Sequence, residues 1–485
     1  MSRNLAISSL CAAIGLVLAQ PAMAQQGSVR LSAPSGIGNI PFDLLPPGAR
    51  SLGLAGAFTA VADDATASEA NPAGLSILTR PEISISGRRT SFDVTNFNGD
   101  AGYADVYDGR PVDPFPLYNK ASDDTTAVSF ASYVHPFSQG AFSVYYQNTG
   151  KVKYNKTHTG AATSFFDQFT FEDDADLSAD ALGISAAWRP NDFLSIGGSL
   201  RYSRLSLQSR SRNTVNFFFD QEFQDNGSIN TAGITDVVTA ERFTDDDDND
   251  ITFNIGLLLN PGGMFSAGIV YKKGGSYDFK TNSSFDINVV CTATATQDCS
   301  GTGENFNFQV SDARTTKQRV ELPDVVNLGF AFRPSDTWLV SFDIHHTRFS
   351  QLPSLPAESL IFGTAAPNGV VTFVPQPTGQ PLRVVTLKRQ SDSTTYHLGA
   401  EHTFVFAEPM MMGMRTLSLR GGVFNEKDLG PYSDDATRDL PGVDTRDTHY
   451  TVGLGTTWGD HIQVDLGAEF SEDTDNIVLS GIYRF

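Results

Sequence analysis

The chain has 485 residues and a formal net charge of −21, from 34 basic and 55 acidic side chains. This acidic balance argues against a nucleic-acid partner, because phosphate binding requires clustered lysine and arginine. The 35 phenylalanines argue against a disordered chain, since disordered segments are poor in aromatic residues. No stretch after residue 24 holds 18 or more consecutive apolar residues, which excludes spanning helices. A soluble β-rich protein and a transmembrane β-barrel remain.

The first two dozen residues have the features of a secretory signal peptide. Arg3 supplies the positive charge, residues 5–18 are largely apolar, and residues 22–24 (Ala-Met-Ala) form a small-residue cleavage site. The alternative is a single membrane anchor, for which the apolar stretch is too short. The sequence therefore predicts that residues 1–24 are removed and that the protein leaves the cytoplasm.

Export leaves two cysteines in the mature chain, Cys291 and Cys299, in a stretch rich in threonine, serine and glycine. An oxidising compartment favours their pairing, so we predict a disulfide within a loop. Zinc binding is the alternative, but two thiols without a nearby histidine are poor zinc ligands. The sequence predicts no metal site and no cofactor.

Alternation of apolar and polar residues dominates the mature chain. In the last segment, for example, Ile477, Leu479 and Tyr483 lie on one face of the predicted strand. Such alternation is typical of a strand with one apolar face. In a soluble sandwich the polar face meets water, whereas in an outer-membrane barrel the apolar face meets lipid and the polar face meets the lumen. Alternation alone does not choose between the two.

The number of segments and the lengths of the loops favour the barrel. Short connections rich in Asn, Pro, Gly and Asp, such as residues 189–192 and 260–263, alternate with long ones, such as residues 213–248 and 351–392. Short periplasmic turns, long external loops and an even number of strands are typical of bacterial barrels. The sequence predicts an all-β fold, a 14-stranded antiparallel transmembrane outer-membrane β-barrel over residues 83–485. Its strands are predicted near residues 83–92, 126–136, 141–156, 177–189, 193–212, 249–259, 264–281, 314–332, 337–350, 393–406, 414–426, 448–458, 461–471 and 474–485.

Residues 25–82 precede the first predicted strand and show little alternation. Prolines interrupt this segment, and residues 48–58 are rich in small side chains that allow close packing. A short helix is predicted to begin at Asp63 or Asp64 and to stop before Pro72. A 14-stranded barrel has a lumen wide enough to need filling. We expect residues 25–82 to form an N-terminal hatch that plugs the lumen; a disordered periplasmic leader is the alternative.

Two groups of residues resemble a known family. Asn71, Pro72 and Ala73, which follow the Ala-Asp-Asp-Ala of residues 62–65, resemble the hatch motif of the FadL family of outer-membrane channels. Residues 320–324 (Val-Glu-Leu-Pro-Asp) and the features that follow them are similar to the family's eighth and ninth strands, and the resemblance covers essentially the whole mature chain. The further features are Leu328, Gly329, Trp338, Asp343 and residues 347–350, followed by residues 419–423, 452–455 and 464–467, which are similar to later strands.

The resemblance implies a function in transport. Channels of the FadL family carry long-chain fatty acids and other hydrophobic compounds, including toluene-type molecules, for which the lipopolysaccharide leaflet is a poor solvent. The implied route captures the molecule among the external loops, passes it to a pocket above the hatch and releases it laterally through a gap in the barrel wall. A kink in a strand near residues 83–92 or 141–156 would be the signature of such a gap. The resemblance further implies a monomer that works passively.

Apolar clusters in two predicted external loops are candidate capture surfaces. Exposed apolar clusters of this kind usually mark a binding surface. The alternative is that they fold back against neighbouring loops as a small core. The clusters are Phe217, Phe218 and Phe219 in the third loop and Leu360, Ile361 and Phe362 in the fifth.

Two arginines, Arg201 and Arg420, fall on lumen-facing positions by alternation. They are candidates for binding a fatty-acid carboxylate, because arginine holds carboxylates with two parallel hydrogen bonds. The alternative is that they pair with lumen acids such as Asp343 or Asp465 and hold the hatch or the wall in place. Asn71 is predicted to hydrogen-bond barrel backbone and so to hold the hatch.

The acidic run at residues 245–250 (Asp-Asp-Asp-Asp-Asn-Asp) is predicted to be the solvated tip of an external loop. A calcium loop would need spaced ligands, a glycine at the turn and a distal glutamate. The run has neither this glycine nor the glutamate, so calcium binding is not predicted.

The last residue, Phe485, ends the final predicted strand. A terminal phenylalanine resembles the signal by which the outer-membrane assembly machinery recognises its clients. We therefore expect that machinery, outer-membrane lipid and lipopolysaccharide as partners, and a location in the outer membrane of a Gram-negative cell.

Three other functions come from different classes of protein. An enzyme barrel is suggested by Asp343 and His345 on one face, but the sequence has no G-x-S-x-G motif. A general aqueous porin is disfavoured by the hatch-like segment and the apolar loop clusters. A secretion-associated or structural barrel is suggested by residues 48–58, whose composition is also seen in secretion-associated relatives of the family. The sequence favours passive transport of hydrophobic molecules, without enzyme activity.

Overall fold

The fold, seen in a computed structural model, is dominated by long antiparallel strands. The structure describes residues 45–97, 118–161, 166–217, 222–223, 229–230, 234–291, 306–351, 371–374, 383–386, 392–409, 413–427, 446–471 and 474–485. Within these ranges, no helix has both the length and the apolar character that crossing a membrane requires.

The first ten strands are Glu82–Phe97 (β1), Tyr118–Phe137 (β2), Gly140–Ala161 (β3), Phe166–Asn191 (β4), Leu194–Phe217 (β5), Glu222–Phe223 (β6), Ile229–Asn230 (β7), Ile234–Leu259 (β8), Phe265–Lys272 (β9) and Ser276–Cys291 (β10). The other ten are Phe306–Glu321 (β11), Val325–Ser335 (β12), Trp338–Thr347 (β13), Val371–Val374 (β14), Arg383–Thr386 (β15), Ser393–Val405 (β16), Met414–Lys427 (β17), Arg446–Trp458 (β18), Ile462–Phe470 (β19) and Thr474–Arg484 (β20).

Fourteen of these strands close into a barrel. Around the wall the order is β1, β2, β3, β4, β5, β8, β9, β12, β13, β16, β17, β18, β19 and β20, with antiparallel pairing throughout. The barrel closes where β1 pairs with β20, from Glu82 opposite Arg484 to Phe92 opposite Thr474. The predicted 14-stranded antiparallel barrel is confirmed. Two short hairpins, β6–β7 and β14–β15, stand apart from it.

Two of the predicted strands are each interrupted. β9 and β10 are separated by residues 273–275, which include two glycines, and β11 and β12 by residues 322–324, which include Pro323. Glycine weakens a strand, and proline lacks the N–H that the ladder needs. Asp324 joins the two breaks, because its carboxylate accepts hydrogen bonds from Gly274 N at 3.0 Å and from the Tyr271 hydroxyl at 3.1 Å.

The outward face of the barrel carries an apolar belt. Exposed aliphatic side chains such as Ile85, Leu182 and Ile255 point away from the lumen. Aromatic side chains flank the belt at both ends, as expected where a barrel crosses lipid. They are Trp188, Phe193, Phe265 and Trp338 at the end with the short turns, and Tyr202, Tyr396 and Tyr450 at the opposite end, which we call the outer end.

Several strands extend well beyond this belt at the outer end. β4 and β8 have 26 residues each, whereas a tilted strand needs about 9–11 residues to cross a bilayer. Part of the predicted loop at residues 213–248 is therefore strand, since β8 begins at Ile234. Outside lipid both faces of a strand can be polar, so the alternation that predicts a strand is lost there. The predicted strands are therefore shorter than the observed ones.

Residues 45–80, which we call the N-terminal segment, pack against the inner faces of the strands. The segment contains the helices α1 (Ala49–Gly53) and α2 (Ala67–Ala70) and the 3-10 helix η1 (Pro72–Ile77). A second 3-10 helix, Phe349–Gln351, follows β13. The main apolar cluster lies between this segment and the wall, so the core is inside the barrel. Its members include Leu54, Phe58, Val61 and Leu75 from the segment and Val134, Leu258 and Leu339 from the wall.

Candidate functional site

Asn71, the first residue of the predicted hatch motif, precedes η1 and contacts the wall. Its side-chain oxygen accepts a hydrogen bond from Ala73 N at 3.2 Å. Its amide group donates to Thr59 O at 2.8 Å and to Leu257 O at 3.3 Å. Pro72 begins the helix, where no N–H is needed. The motif therefore joins a local turn to strand β8.

Two glycines of the wall allow this close approach. A Cβ atom at Gly256 would lie 2.0 Å from Asn71 Oδ1, and one at Gly197 would lie 2.3 Å from Ala73 N. Both distances are far inside van der Waals contact, so a side chain at either position would displace the motif. The adjacent Gly198 differs, since the nearest atom to its Cβ would be 3.8 Å away.

Glu69 in α2 is the centre of a buried charged cluster. Its carboxylate accepts hydrogen bonds from Arg201 Nη1, at 3.1 Å to each oxygen, and from Lys272 Nζ at 3.1 Å. Asn254 Nδ2 donates at 2.8 Å and the Tyr145 hydroxyl at 3.2 Å. Burial alone would raise the pKa of Glu69, but Arg201 and Lys272 hold this pKa below its ordinary value. A charged Glu69 therefore ties the N-terminal segment to β3, β5, β8 and β9.

A second buried charged cluster surrounds Arg50 in α1. Arg50 donates through Nε and Nη2 to the two oxygens of Glu401, both at 3.0 Å. Arg420 donates to the same carboxylate at 2.5 Å and to Asp465 at 2.7 Å. Both arginines that the sequence offers for a cargo carboxylate, Arg201 and Arg420, are thus bonded to protein carboxylates. Binding of a cargo carboxylate by either stays a prediction.

Asp343 of β13 holds a turn of the N-terminal segment. Its Oδ2 atom accepts hydrogen bonds from Phe58 N at 3.1 Å and from Thr59 N at 2.9 Å. His345 Nε2 lies 3.4 Å from the same oxygen. The acid–histidine pair that suggested an enzyme from the sequence therefore anchors the segment to the wall.

Four flat side chains form a row across neighbouring strands. His345, His397, Phe424 and His449 stack with successive ring centroids 4.0, 4.7 and 4.4 Å apart. His397 Nδ1 donates to Ala55 O of the N-terminal segment at 2.7 Å. The row therefore links β13, β16, β17 and β18 side by side, and His397 joins it to the N-terminal segment.

A second apolar cluster, which we call the outer cluster, lies on the inner face of the extended strands. Leu205 and Leu207 of β5 pack with Tyr277 and Phe279 of β10. The side chains of this cluster are buried against one another, so it is a second apolar core inside the extended strands. The cluster also includes Val152, Ala175, Leu177, Ala179 and Val320, from β3, β4 and β11.

The wall parts between β2 and β3. In the described residues, pairing between these strands stops at Phe130 opposite Gln147, although β2 starts at Tyr118 and β3 continues to Ala161. The outer half of β2 pairs with β1, and the outer half of β3 pairs with β4. We call the gap beyond Phe130 and Gln147 the β2–β3 slit.

Bulges and lipid exposure mark the base of the slit. The β1–β2 register shifts between Ser86 and Gly87, and the β3–β4 register shifts between Asn148 and Gly150. Bulges bend strands and increase their twist, and both lie where the sequence places the signature of a lateral gap. Val128, just beyond the base, is 48% exposed on the outer face, so the slit begins within the apolar belt.

The acidic run at residues 245–250 is not a loop tip, contrary to the prediction from the sequence. It lies within β8, between the part that pairs with β10 and the part that pairs with β9. Here the side chains of alternate aspartates take the place of the backbone ladder. Each carboxylate accepts one hydrogen bond from a backbone N–H of β10, at 2.7–3.0 Å, and one from a backbone N–H of β8 itself, at 2.8–3.1 Å. This arrangement, which we call the carboxylate seam, explains aspartate in a strand, where it is usually depleted. The bonded pairs across the seam are Asp246 with Lys280 N, Asp248 with Asp278 N and Asp250 with Ser276 N.

Some residues that the sequence singles out fall at or beyond the limits of the described chain. Phe217 is the last residue of β5 and Cys291 the last of β10. Capture by the apolar loop clusters and the disulfide therefore stay predictions. The residues that lie outside the described ranges are Phe218, Phe219, Leu360, Ile361, Phe362 and Cys299.

Sequence reasoning did not single out Glu69. Its signal is isolation, because Glu69 is the one charged residue between Ala65 and Thr79. A lone acid in a stretch of small and apolar residues is buried when that stretch is buried, and a buried acid needs cationic partners. Those partners, Arg201 and Lys272, are far away in the sequence and become neighbours through the barrel.

These features define an outer-membrane β-barrel whose lumen contains the chain's own N-terminal segment. The family model described as "Outer membrane protein transport protein (OMPP1/FadL/TodX)" matches residues 47–478. The chain belongs to this family, whose members are transport channels and not enzymes. The resemblance to the FadL family is thus confirmed. No curated protein sequence matches the chain.

Solved structures of similar fold cover nearly the whole barrel. The Pseudomonas putida toluene transporter TodX aligns with a TM-score of 0.54 at 16% identity, over 92% of this chain and 99% of that one. A Pseudomonas aeruginosa FadL homologue aligns with a TM-score of 0.53 at 13% identity, over 92% and 99%. The CymD monoaromatic hydrocarbon channel aligns with a TM-score of 0.52 at 16% identity, over 92% and 99%. At these identities the likeness concerns the fold.

Proposed function

We propose that the protein carries hydrophobic molecules passively through the outer membrane into the periplasm, with lateral exit through the wall. The observation that carries the proposal is the β2–β3 slit, which begins within the lipid-facing belt. The N-terminal segment, held by Glu69, Asn71 and Asp343, occupies the straight path through the lumen. A molecule that enters from the outer end therefore has a sideways path at the slit.

The proposed route has three stages. The external loops capture the molecule, with Phe217 to Phe219 and Leu360 to Phe362 as candidates. The molecule then passes the apolar outer cluster, which contains Leu205 and Tyr277. Val152 of this cluster lies on β3 beyond the base of the slit, which supports passage from one to the other. The N-terminal segment acts as the hatch below this path.

The cargo is proposed to be a monoaromatic hydrocarbon or a long-chain fatty acid. Proteins of similar fold include a toluene transporter and a FadL homologue. The bonds of Arg201 to Glu69 and of Arg420 to Glu401 and Asp465 favour an uncharged cargo, because a fatty-acid carboxylate would have to compete with protein carboxylates.

The proposed location requires export and assembly. Removal of residues 1–24 would start the mature chain at Gln25, and residues 25–82 would form the hatch. Phe485 would be recognised by the outer-membrane assembly machinery. The finished barrel would work as a monomer among outer-membrane lipid and lipopolysaccharide, without a cofactor.

Uptake of radiolabelled toluene and oleate, by cells with and without the gene, tests the proposal. A small sugar serves as the control. We expect one hydrophobic cargo to enter faster with the gene while sugar entry is unchanged, and the affected cargo then names the class. Equal entry of both cargoes with and without the gene would contradict transport, and faster sugar entry would indicate an aqueous pore.

A further inference from the structure

In the described part of the chain, the side chains of Thr125 and Arg88 bond across the β2–β3 slit, where backbone pairing of the two strands has stopped. Thr125 of β2 donates from its hydroxyl to Lys151 O of β3 at 2.8 Å. Arg88 of β1 reaches past β2 and donates from Nη2 to Asn148 O at 3.4 Å and to Asn148 Oδ1 at 3.5 Å. Both acceptor residues lie in β3 beyond Gln147, the last residue that pairs with β2.

These two side chains are buried on the inner face of the wall. Thr125 is 8% exposed and Arg88 is 7% exposed. When pairing stops, the carbonyl groups of β3 still need donors, because an unsatisfied buried polar group is destabilising. Thr125 and Arg88 each supply a donor to a carbonyl group of β3. Among the described residues, the side chains of Thr125 and Arg88 thus bond across the slit, whereas a backbone ladder joins the strands on either side.

The base of the slit is fixed more firmly than its edges. Phe130 and Tyr145 stack there with centroids 5.9 Å apart. The Tyr145 hydroxyl bonds to Ser199 at 2.6 Å and donates to Glu69 of the N-terminal segment at 3.2 Å. A Cβ atom at Gly183 would lie 2.3 Å from the Tyr145 ring, so the ring is enclosed by the wall. Widening is therefore confined to the part beyond the base.

We propose that Thr125 and Arg88 are latches that set the width of the β2–β3 slit and so determine which molecules leave through it. This inference rests on the proposed lateral route. With both bonds made, the outer halves of β2 and β3 are held together. When the bonds break, β2 remains paired with β1 and β3 with β4, so the strands part without loss of the barrel.

Matched substitutions separate the latches from general stability. Thr125→Val removes the hydroxyl and keeps the shape. Its control is Thr90→Val, since Thr90 lies opposite Thr125 on β1 and donates to Asn476 on β20, away from the slit. Arg88→Met removes the second latch. Its control is Arg89→Met, because Arg89 is exposed and bonds to Asp124 on the outer face.

Slit width can be measured directly on the full-length protein in lipid. Spin labels at Thr126 and Lys153, which are exposed on either side of the slit, report the distance between β2 and β3, with Cys291 and Cys299 replaced by serine. We expect longer and broader distances in both latch variants and unchanged distances in the controls. Unchanged distances in Thr125→Val would overturn the proposal, even if Arg88→Met failed to fold.

Uptake of hydrocarbons of increasing width then tests the consequence. Latch variants should admit the wider molecules several-fold faster than the controls do, with narrow molecules little affected. A widened slit with unchanged selectivity would overturn the role in selection. If the unsubstituted protein carried no hydrophobic molecule at all, the proposed function would fail, and the distance measurement would still decide whether the latches exist.

Discussion

The Nη1 atom of Arg201 in β5 lies 3.1 Å from both carboxylate oxygens of Glu69 in α2. This contact joins the wall to the N-terminal segment across 132 positions of sequence. Lys272 brings a second cation to the same carboxylate at 3.1 Å. Buried charges are tolerated when they are paired and hydrogen-bonded. Arg201 and Lys272 of the wall therefore need Glu69 to neutralise their charge, and Glu69 in turn holds the N-terminal segment against the wall.

Replacing Glu69 by glutamine should loosen the N-terminal segment. The substitution keeps the shape but leaves Arg201 and Lys272 without their anion, and breaking a buried pair costs about 3–5 kcal/mol. Hydrogen exchange of residues 45–78, followed by mass spectrometry, should become faster. Glu241→Gln is the matched control, since it removes an exposed pair with Arg210 that contributes about 0–1 kcal/mol. Equal exchange in Glu69→Gln and the unsubstituted protein would contradict the anchoring role.

Acid should weaken the same anchor. Burial alone would raise the pKa of Glu69, but Arg201 and Lys272 bring this pKa below the ordinary value of 4.5. A group whose pKa is lowered by folding stabilises the folded state above its unfolded pKa, and this stabilisation is lost as the pH falls through the folded pKa. Pepsin should therefore release fragments of the N-terminal segment increasingly below about pH 4.5. Because pepsin itself is more active in acid, Glu69→Gln serves as the reference, and the release should rise more steeply with acid in the unsubstituted protein than in this variant. Equally steep rises in the two proteins would count against the prediction.

Two adjacent glycines should respond differently to substitution by alanine. A Cβ atom at Gly197 would lie 2.3 Å from Ala73 N, whereas one at Gly198 would be 3.8 Å from its nearest neighbour. Gly197→Ala should displace Pro72 and Ala73 at a cost of about 1–3 kcal/mol, the usual range for overpacking. Hydrogen exchange of residues 71–77 should rise in Gly197→Ala and stay unchanged in Gly198→Ala. Identical behaviour of the two variants would show that the motif does not press against β5.

The carboxylate seam should depend on alternate aspartates. Asp248→Ala removes the acceptor for Asp278 N and Asn249 N, and each unsatisfied group costs about 1–3 kcal/mol where it is shielded from water. Exchange at these two amides should become faster. Asp248→Asn should have a smaller effect, because an amide oxygen still accepts. Asp247→Ala is the control, since the Asp247 side chain is exposed and pairs with Arg204. An equal effect of Asp247→Ala on these two amides would show that the alternate aspartates have no special role in the seam.

The strands could be predicted from the sequence wherever lipid lies on one side and the lumen on the other. That condition forces alternation, as in β3, predicted at residues 141–156 and found at Gly140–Ala161. The condition ends at the outer end of the barrel, so the sequence predicts a loop where the first half of β8 lies. The seam escaped prediction for the same reason, because its bonds depend on where β10 lies.

The site could be predicted only where its chemistry is local. Asn71 and Pro72 form a turn within a few residues, and that turn is visible in the sequence. The sequence offers two partners for Arg420, a cargo carboxylate or a lumen acid such as Asp465, since alternation places both side chains in the lumen. Thr125 gave no signal at all. Thr125 lies at the slit because β2 and β3 separate there, and a single threonine in the sequence does not indicate where two strands separate.

The pairing of β1 with β20 has a consequence for the order of assembly. Glu82 and Arg484, bonded at 2.6 Å, are separated by 402 positions of sequence. Contacts between such distant positions are slow to form, because the whole intervening chain must first be brought together. The cylinder therefore stays open along one side until its final strand arrives. During that interval the N-terminal segment can pack against the inner face of an open sheet. It then does not have to enter the lumen of a barrel that is already closed.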